Sequence, residues 1–109
     1  MIGRLLRKKE INLIKWVIKN APEASKIIPE LPTVLVEEME DGGMGSLRVL
    51  SEKERFYSRD IGEIEMLDED GITLIISVNV DNNGELFELD IWKVDFSALI
   101  KFPIVPSIN

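Results

Sequence analysis

Apolar and polar side chains alternate through residues 84–95, and this period of two is typical of a β-strand with one buried face. The predicted core face carries Phe87, Leu89 and Ile91. The opposite face carries Glu88, Asp90 and Trp92. Two carboxylates and an indole on the side of a strand that faces away from the core are the strongest surface candidate for a function.

The first predicted element of the chain is a helix. Between residues 7 and 20 apolar side chains recur at helical spacing with lysines opposite, which predicts one amphipathic helix. Glu10 falls inside the apolar arc. Capping of the first turn is the favoured explanation, because a carboxylate there accepts free N–H groups and suits the helix dipole. An ion pair with a sheet arginine such as Arg48 is the alternative.

Five later segments predict strands. Their bounds are residues 33–39, 46–50, 61–67, 72–80 and 86–94, and a second short helix is predicted over residues 23–28. Residues 51–58 are charged and predict a loop, and the proline-containing tail after Asp95 should lie along the surface. The predicted fold is α+β: an N-terminal amphipathic helix packed on a curved, mostly antiparallel five-stranded sheet, forming a single domain over residues 1–109.

Two turns predict the register of the last three strands. Asn83-Gly84 is typical of a two-residue hairpin turn. Its pairs are Val80 with Phe87, Val78 with Leu89, and Ile76 with Ile91. A three-residue loop is rejected here, because a slip of one residue would turn the core side chains outward. The run 69–71 ends in glycine and predicts a three-residue loop instead. Its pairs are Met66 with Leu74, and Ile64 with Ile76.

This register places Glu63, Ser77 and Asp90 in one row across three strands, away from the core. Strands lie about 4.8 Å apart, so the two acidic residues should flank the serine about 10 Å apart at the backbone. Inverting glycosidases separate their carboxyl groups by about 6.5–9.5 Å, which makes an acid–base pair one interpretation. A solvated polar sheet face is the other. Nothing in the sequence indicates that burial raises the pKa of either carboxyl.

A hard cation such as Mg²⁺ or Ca²⁺ could use the oxygens of Glu63, Glu88 and Asp90. The acidic runs 68–70 and 81–83 also offer oxygen ligands. Neither run has the spacing of a calcium-binding loop, and turn chemistry explains both. We therefore predict no metal and no cofactor.

Three glycines precede the second predicted strand, in the run Gly42, Gly43, Met44 and Gly45. The run lacks the Gly-Lys-Ser/Thr of a phosphate-binding P-loop and follows two acidic residues, which repel anions. It predicts a flexible hairpin or a close backbone contact, and an exposed Met44 in such a loop is a candidate contact with a partner.

Composition limits the chemistry of the chain. It contains no His and no Cys, which removes the commonest general base, the usual catalytic triads, thiol nucleophiles and Cys-ligated zinc. The net charge is −7, although residues 1–20 hold six basic residues and one acidic residue. The acidic remainder repels nucleic acid and attracts basic proteins. The basic side of the first helix is interpreted as a solvated face, so no membrane binding is predicted.

The beginning of the chain turns charged at once, and no apolar stretch is long enough for a signal peptide or a membrane span. The cytoplasm is therefore the expected location.

Trp92 has two interpretations. Aromatic side chains among charged residues are typical anchors of protein interfaces. Alternatively, the indole packs over Ile75 or under the C-terminal tail, or a homodimer mate covers the whole face.

The runs DGGMGSL at residues 41–47 and ELDIWKVDFS at residues 88–97, with Asp70-Gly71 between them, resemble a family of short bacterial proteins whose domain has no assigned function. The resemblance spans nearly the whole chain. Members of such small families often occur beside polymorphic toxin genes, so the resemblance implies an immunity role. It transfers no functional residue, because none is established for the family.

The leading prediction is a non-catalytic protein-binding module, with an immunity-type inhibitor of a basic toxin or nuclease as one form of it. An acidic face can cover a basic site, and opposite charge accelerates encounter. The predicted partner-binding residues are Glu63, Glu88, Asp90 and Trp92, with Gly42, Gly43, Met44 and Gly45 as a secondary contact. The alternative is a carboxylate-dependent, metal-assisted hydrolase that uses Glu63 and Asp90.

Overall fold

The computed structural model describes residues 3–108, so residues 1, 2 and 109 at the ends of the predicted domain lie outside it. The helices in this range are α1 (Lys8–Ile18) and α2 (Ala24–Ile27), followed by a 3-10 helix (Ile28–Thr33). The strands are β1 (Arg4–Leu5), β2 (Leu35–Glu38), β3 (Leu47–Val49), β4 (Tyr57–Leu67), β5 (Thr73–Asp81) and β6 (Leu86–Lys93).

The strands form one antiparallel sheet in the order β1-β2-β3-β6-β5-β4, and α1 packs on one face of it against β4 and β5. The core lies between them. Its fully buried apolar side chains include Leu13, Ile14, Ile18, Leu74, Ile76, Val78, Leu89 and Ile91. The α+β prediction with an N-terminal helix is confirmed, and the sheet of residues 3–108 has six strands instead of five. The additional strand, β1, is two residues long, which is too short for alternation to reveal it.

Both explanations offered for Glu10 contribute, with a different arginine from the one predicted. Its Oε1 accepts the backbone N–H of Arg7 at 2.7 Å, which closes the first turn of α1. Its two carboxylate oxygens also accept the guanidinium of Arg4 from β1 at 2.8 Å each. Arg48 pairs with Glu88 instead. Burial opposes ionisation of Glu10, but these two partners hold its pKa below the ordinary value.

β4 begins four residues before the predicted bound of residue 61, inside the segment that is predicted as a loop. Its pairing with β5 shifts register between Tyr57 and Arg59 and again between Asp60 and Gly62. Each shift is a β-bulge, and two bulges in succession interrupt the alternation from which a strand is recognised. The sequence therefore reveals only the regular half of β4.

The turn between β4 and β5 confirms the prediction. The Asp68 N–H donates to the Ile72 carbonyl at 2.9 Å, and Gly71 has the left-handed φ of 78° that such a loop requires. Met66 pairs with Leu74, and Ile64 with Ile76.

The turn between β5 and β6 corrects the prediction. Its loop has three residues, since the Asp81 N–H donates to the Glu85 carbonyl at 2.9 Å and Val80 pairs with Leu86. A register shift beside Val80 then inserts one extra residue, so that Val78 pairs with Leu89 and Ile76 with Ile91 as predicted. The rejected loop is thus allowed, because a β-bulge restores the parity that the loop length inverts.

The same bulge reverses the predicted orientation of Phe87. Leu86 joins the core cluster, whereas the ring of Phe87 lies 5.4 Å from the guanidinium carbon of Arg48 and 4.8 Å from that of Arg55. Phe87 is still buried, but between two arginines and not beside Leu89 and Ile91.

The C-terminal tail is part of the packed structure and does not merely follow the surface. Leu99, Phe102 and Val105 pack against the core cluster. The buried carboxylate of Asp68, in the turn after β4, accepts the backbone N–H groups of Ile100 at 2.8 Å and Lys101 at 3.2 Å. At the centre of the opposite face of the sheet, Glu63 and Asp90 are exposed.

Candidate functional site

The outer face is the side of the sheet opposite α1, and its central rows have the register predicted from the sequence. Glu63 pairs with Ser77, which pairs with Asp90. The neighbouring rows are Glu65 with Ile75 and Trp92, and Asp60 with Asn79 and Glu88. Alternation along three paired strands therefore brings four predicted site residues together: Glu63, Glu88, Asp90 and Trp92.

Glu88 is held by its neighbours on the outer face. Its Oε2 accepts the Nε and Nη2 groups of Arg48 at 2.9 and 2.6 Å, and its Oε1 accepts the amide of Asn79 at 3.2 Å. The Glu88 backbone N–H donates to the same asparagine at 2.9 Å. Because its charge is already neutralised, Glu88 is better placed to shape the face than to bind a cation from a partner.

Asp90 is in a different electrostatic situation. The Ser46 hydroxyl donates to Asp90 Oδ1 at 3.3 Å, but no cation forms an ion pair with Asp90, Glu63 or Glu65 within residues 3–108. Partial burial of the carboxyl raises the pKa of Asp90, and nearby acidic groups, among them Glu88, raise it further against the effect of Ser46. The expectation that nothing raises a carboxyl pKa on this face is wrong.

We expect the carboxyl of Asp90 to titrate above the ordinary aspartate range, whereas the carboxyl of Asp95, which accepts hydrogen bonds from Ser97, should titrate below it. A raised folded-state pKa favours folding at low pH, and that contribution is lost as the pH rises through the folded pKa. Carboxyl ¹³C NMR titration measures both values. Glu88→Gln should lower the pKa of Asp90, because it removes a neighbouring negative charge. A midpoint for Asp90 at or below that of Asp95 would contradict this electrostatic picture.

The glycine run forms a loop that hydrogen bonds to Asp41 hold together. The Asp41 carboxylate accepts the N–H groups of Met44 and Ser46 at 3.0 Å each, and these bonds lower the pKa of Asp41 despite its burial. Gly42, Gly43 and Gly45 adopt φ values of 76°, 82° and 93°, which only glycine adopts without strain. Gly42 and Gly43 are exposed on the surface.

Met44 is buried, so the prediction that it is exposed for a partner is wrong. Its sulfur accepts the backbone N–H of Lys93 at 3.4 Å. The loop therefore packs on β6 beside the outer face, where its methionine serves the packing of the sheet.

Trp92 and Phe96 form an exposed aromatic pair at the end of β6. The two ring centroids are 6.0 Å apart with planes at 54°, and the residues are 39% and 72% exposed. Trp92 pairs with Ile75 across β5 and β6, and its side chain is still partly exposed to solvent. Val94 and Leu67 are also exposed beside the pair. We call Leu67, Trp92, Val94 and Phe96 the apolar end of the outer face.

Phe96 has a left-handed φ of 65°, the only positive φ of a non-glycine residue in the described range. This conformation costs about 1–2 kcal/mol for a residue with a side chain. The turn holds it by a hydrogen bond from the Phe96 N–H to the Lys93 carbonyl at 2.9 Å. Backbone strain that presents an exposed aromatic ring is typical of functional positions. Sequence reasoning missed Phe96, because no periodicity marks a single residue in a turn.

The metal-binding interpretation gains no support from the described residues. No group of three or more Asp or Glu side chains in residues 3–108 is disposed to hold a metal ion. In the turn 81–83, Asp81 accepts the backbone N–H groups of Asn83 at 2.8 Å and Glu85 at 3.1 Å. In the turn 68–70, both aspartates bind Lys93. Turn and core contacts thus explain these acidic runs.

A family model described as a domain of unknown function, DUF6984, matches residues 3–103. The chain belongs to this family. Comparison with curated proteins and with solved structures finds no match.

In this DUF6984 chain the two distinctive sequence runs, 41–47 and 88–97, contact each other. The Ser46 hydroxyl accepts the Ile91 N–H at 2.9 Å, and Met44 contacts Lys93 as described above. The first run therefore supports β6 from the side, so that the acidic and aromatic residues of the second run are presented on the outer face.

Within residues 3–108, no helix combines the length and the apolar character needed to cross a membrane.

Proposed function

We propose that the protein is a non-catalytic binding module whose outer face binds a basic protein. The observation that carries this proposal is that the outer face combines the apolar end with three acidic residues that form no ion pair within residues 3–108: Glu63, Glu65 and Asp90. Interfaces combine aromatic anchors with a polar rim, and unneutralised carboxylates attract a positively charged surface.

The negative charge of the outer face also favours some binding partners over others. A second copy placed face to face would bring like charges together, which is unfavourable, whereas a basic protein would neutralise them. Proteins that bind nucleic acid carry basic surfaces of this kind. We therefore propose, as the specific form of the function, an immunity-type inhibitor that covers the basic site of a toxin or nuclease.

The test is a charge reversal with a matched control. Glu63→Lys/Glu65→Lys changes two exposed residues of the outer face, and Glu52→Lys/Glu54→Lys makes the same change in charge at two exposed residues outside it. A basic protein that the native chain captures from a lysate of its host is purified, and its Kd is measured for all three forms. We expect the face variant to bind about tenfold or more weakly, because oppositely charged groups become repulsive.

Two results would contradict the proposal. Equal weakening by both variants would show that only net charge matters, and unchanged affinity of the face variant would place the interface elsewhere. Circular dichroism of each variant must show the native fold before its affinity is compared. Glu88 is left unchanged in this design, since its contact with Arg48 belongs to the packing of the sheet.

A hydrolase that uses Glu63 and Asp90 is the second candidate, favoured by the raised pKa of Asp90 and by the serine between the two residues. The metal-assisted form lacks a cluster of ligands in the described residues. A hydrolytic activity that is lost in Asp90→Asn, and whose pH profile moves to lower pH in Glu88→Gln, would support an acid role for Asp90. Equal activity of Asp90→Asn and the native protein would remove this candidate.

A further inference from the structure

Most buried or half-buried aromatic rings of the described chain already have a cation of their own. The pairs are Lys19 over Trp16 at 4.0 Å, Arg48 and Arg55 over Phe87 at 5.4 and 4.8 Å, and Lys9 over Phe102 at 5.2 Å. Within residues 3–108, no Lys or Arg lies over the rings of Trp92 and Phe96. Trp92 and Phe96, which are the aromatic pair nearest the acidic rows, therefore have no cation of the described chain over their rings.

The carboxylate beside these rings also lacks a cation. Asp90 precedes Trp92 by two positions on the same face of β6, so the two side chains leave the strand about 7 Å apart. Arg48, on the neighbouring strand, is occupied by Glu88. An acceptor for a cation and a ring that favours one are thus adjacent, with no cation of the described chain on either.

We propose that the partner inserts an arginine side chain against Trp92, with its guanidinium on the Asp90 carboxylate. This inference rests on the proposed function and identifies the central contact of that interface. Arginine fits better than lysine, because its planar guanidinium stacks on an aromatic face and donates paired hydrogen bonds to a carboxylate at the same time. Trp and Arg are also the residue types that most often dominate the binding energy of an interface.

Phe96 forms the second wall of this arginine site. Its ring is tilted by 54° to the indole, and the turn fixes it there in the left-handed conformation. A ring that is positioned before binding does not have to be ordered by the partner, so more of the contact energy is available for affinity. The site thus consists of Asp90, Trp92 and Phe96.

The experiment needs no partner. N-acetylarginine amide is titrated into the ¹⁵N-labelled protein at constant ionic strength, and the indole N–H signals of the two tryptophans are followed by NMR. We expect the Trp92 signal to shift with saturation. The Trp16 signal should stay, because Lys19 already lies over that ring. The analogue N-acetylcitrulline amide, which has the shape without the charge, should not bind, and N-acetyllysine amide should bind more weakly.

Two variants locate the contact. Asp90→Asn keeps the shape of the side chain and should weaken binding of the arginine probe by about fivefold or more, because the charge-assisted hydrogen bonds are lost. Phe96→Gly removes the ring and also the backbone strain, so binding should weaken by roughly twofold or more while the free energy of unfolding is maintained. Loss of binding in a well-folded variant separates this site from a structural effect.

Several results would overturn the arginine site: no saturable shift of Trp92, equal shifts with citrulline or lysine amide, equal movement of Trp16, or unchanged binding in Asp90→Asn. None of them would remove the proposed function, which is decided by the charge reversal at Glu63 and Glu65. Conversely, a bound arginine probe together with no basic partner would leave this site standing while the binding-module proposal fails.

Discussion

Replacing Lys93 with methionine is expected to lower the melting temperature of the protein by about 15 °C or more. Lys93 is 0% exposed at a core position of β6. Its Nζ donates to Asp68 Oδ2 at 2.9 Å, to Asp70 Oδ2 at 2.7 Å and to the Ala98 carbonyl at 3.3 Å. Methionine matches the length of the lysine stem but leaves the buried Asp68 carboxylate without its cation, which is the most costly way to break such a pair.

The loss should also affect the C-terminal tail. Asp68 binds Lys93 and the backbone N–H groups of Ile100 and Lys101, so one carboxylate joins the end of β6 to the tail. Without the lysine, only backbone hydrogen bonds hold the pKa of Asp68 below the ordinary value against the effect of burial, and the carboxylate is no longer anchored to β6. Hydrogen exchange of the Ile100 and Lys101 amides should therefore accelerate together with the thermal destabilisation.

Matched variants distinguish this explanation from a general effect of losing a lysine. Lys53→Met removes an exposed ion pair with Glu85 and should change the melting temperature little. Lys93→Met/Asp68→Asn removes both buried charges and should recover part of the loss, because the carboxylate left without its cation, Asp70, is partly exposed to solvent. A change of only a few degrees in Lys93→Met, equal to that of Lys53→Met, would contradict a role for the buried lysine in stability.

The register of the outer face was predictable because alternation and turn chemistry act on short stretches of sequence. The predicted pairs Val78 with Leu89 and Ile76 with Ile91 each join two apolar residues of the core, and this condition placed Ser77 opposite Asp90. The error at the β5–β6 turn has a physical reason. A β-bulge adds one residue to a strand and leaves no signal of its own in the sequence. The length of the loop therefore could not be predicted from which side chains of β6 face the core.

The missing parts of the candidate site depend on contacts between segments that are far apart in sequence. Nothing in the sequence indicates that the sulfur of Met44 contacts the backbone of Lys93. Likewise, the pKa of Asp90 is raised by burial and by other acidic groups, and folding produces both surroundings. Phe96 depends on a backbone dihedral in one turn, and a phenylalanine is among the residues that sequence rules place there least often.

Gly62→Ala is expected to lower the free energy of unfolding by about 1–3 kcal/mol, because β4 passes α1 too closely for any side chain at this position. A Cβ on Gly62 would overlap the backbone carbonyl of Val17, with its carbon 2.9 Å away and its oxygen closer still. This carbonyl belongs to the last turn of α1, and a backbone group cannot rotate aside as the end of a side chain can. Glycine inside a strand is a recognised sign of such an approach.

Urea unfolding followed by circular dichroism measures this loss, and Gly3→Ala is the matched control. A Cβ on Gly3 would meet chiefly the side chain of Leu50, which can move, so its cost should be smaller. Equal stability of Gly62→Ala and the native protein would contradict the close packing of α1 on β4. The substitution also affects the outer face, because the β-bulge lies between Asp60 and Gly62, and Glu63 follows directly. If α1 and β4 move apart, the acidic residues of β4 move as well. The binding of the proposed basic partner should then weaken, even though no carboxylate has been changed.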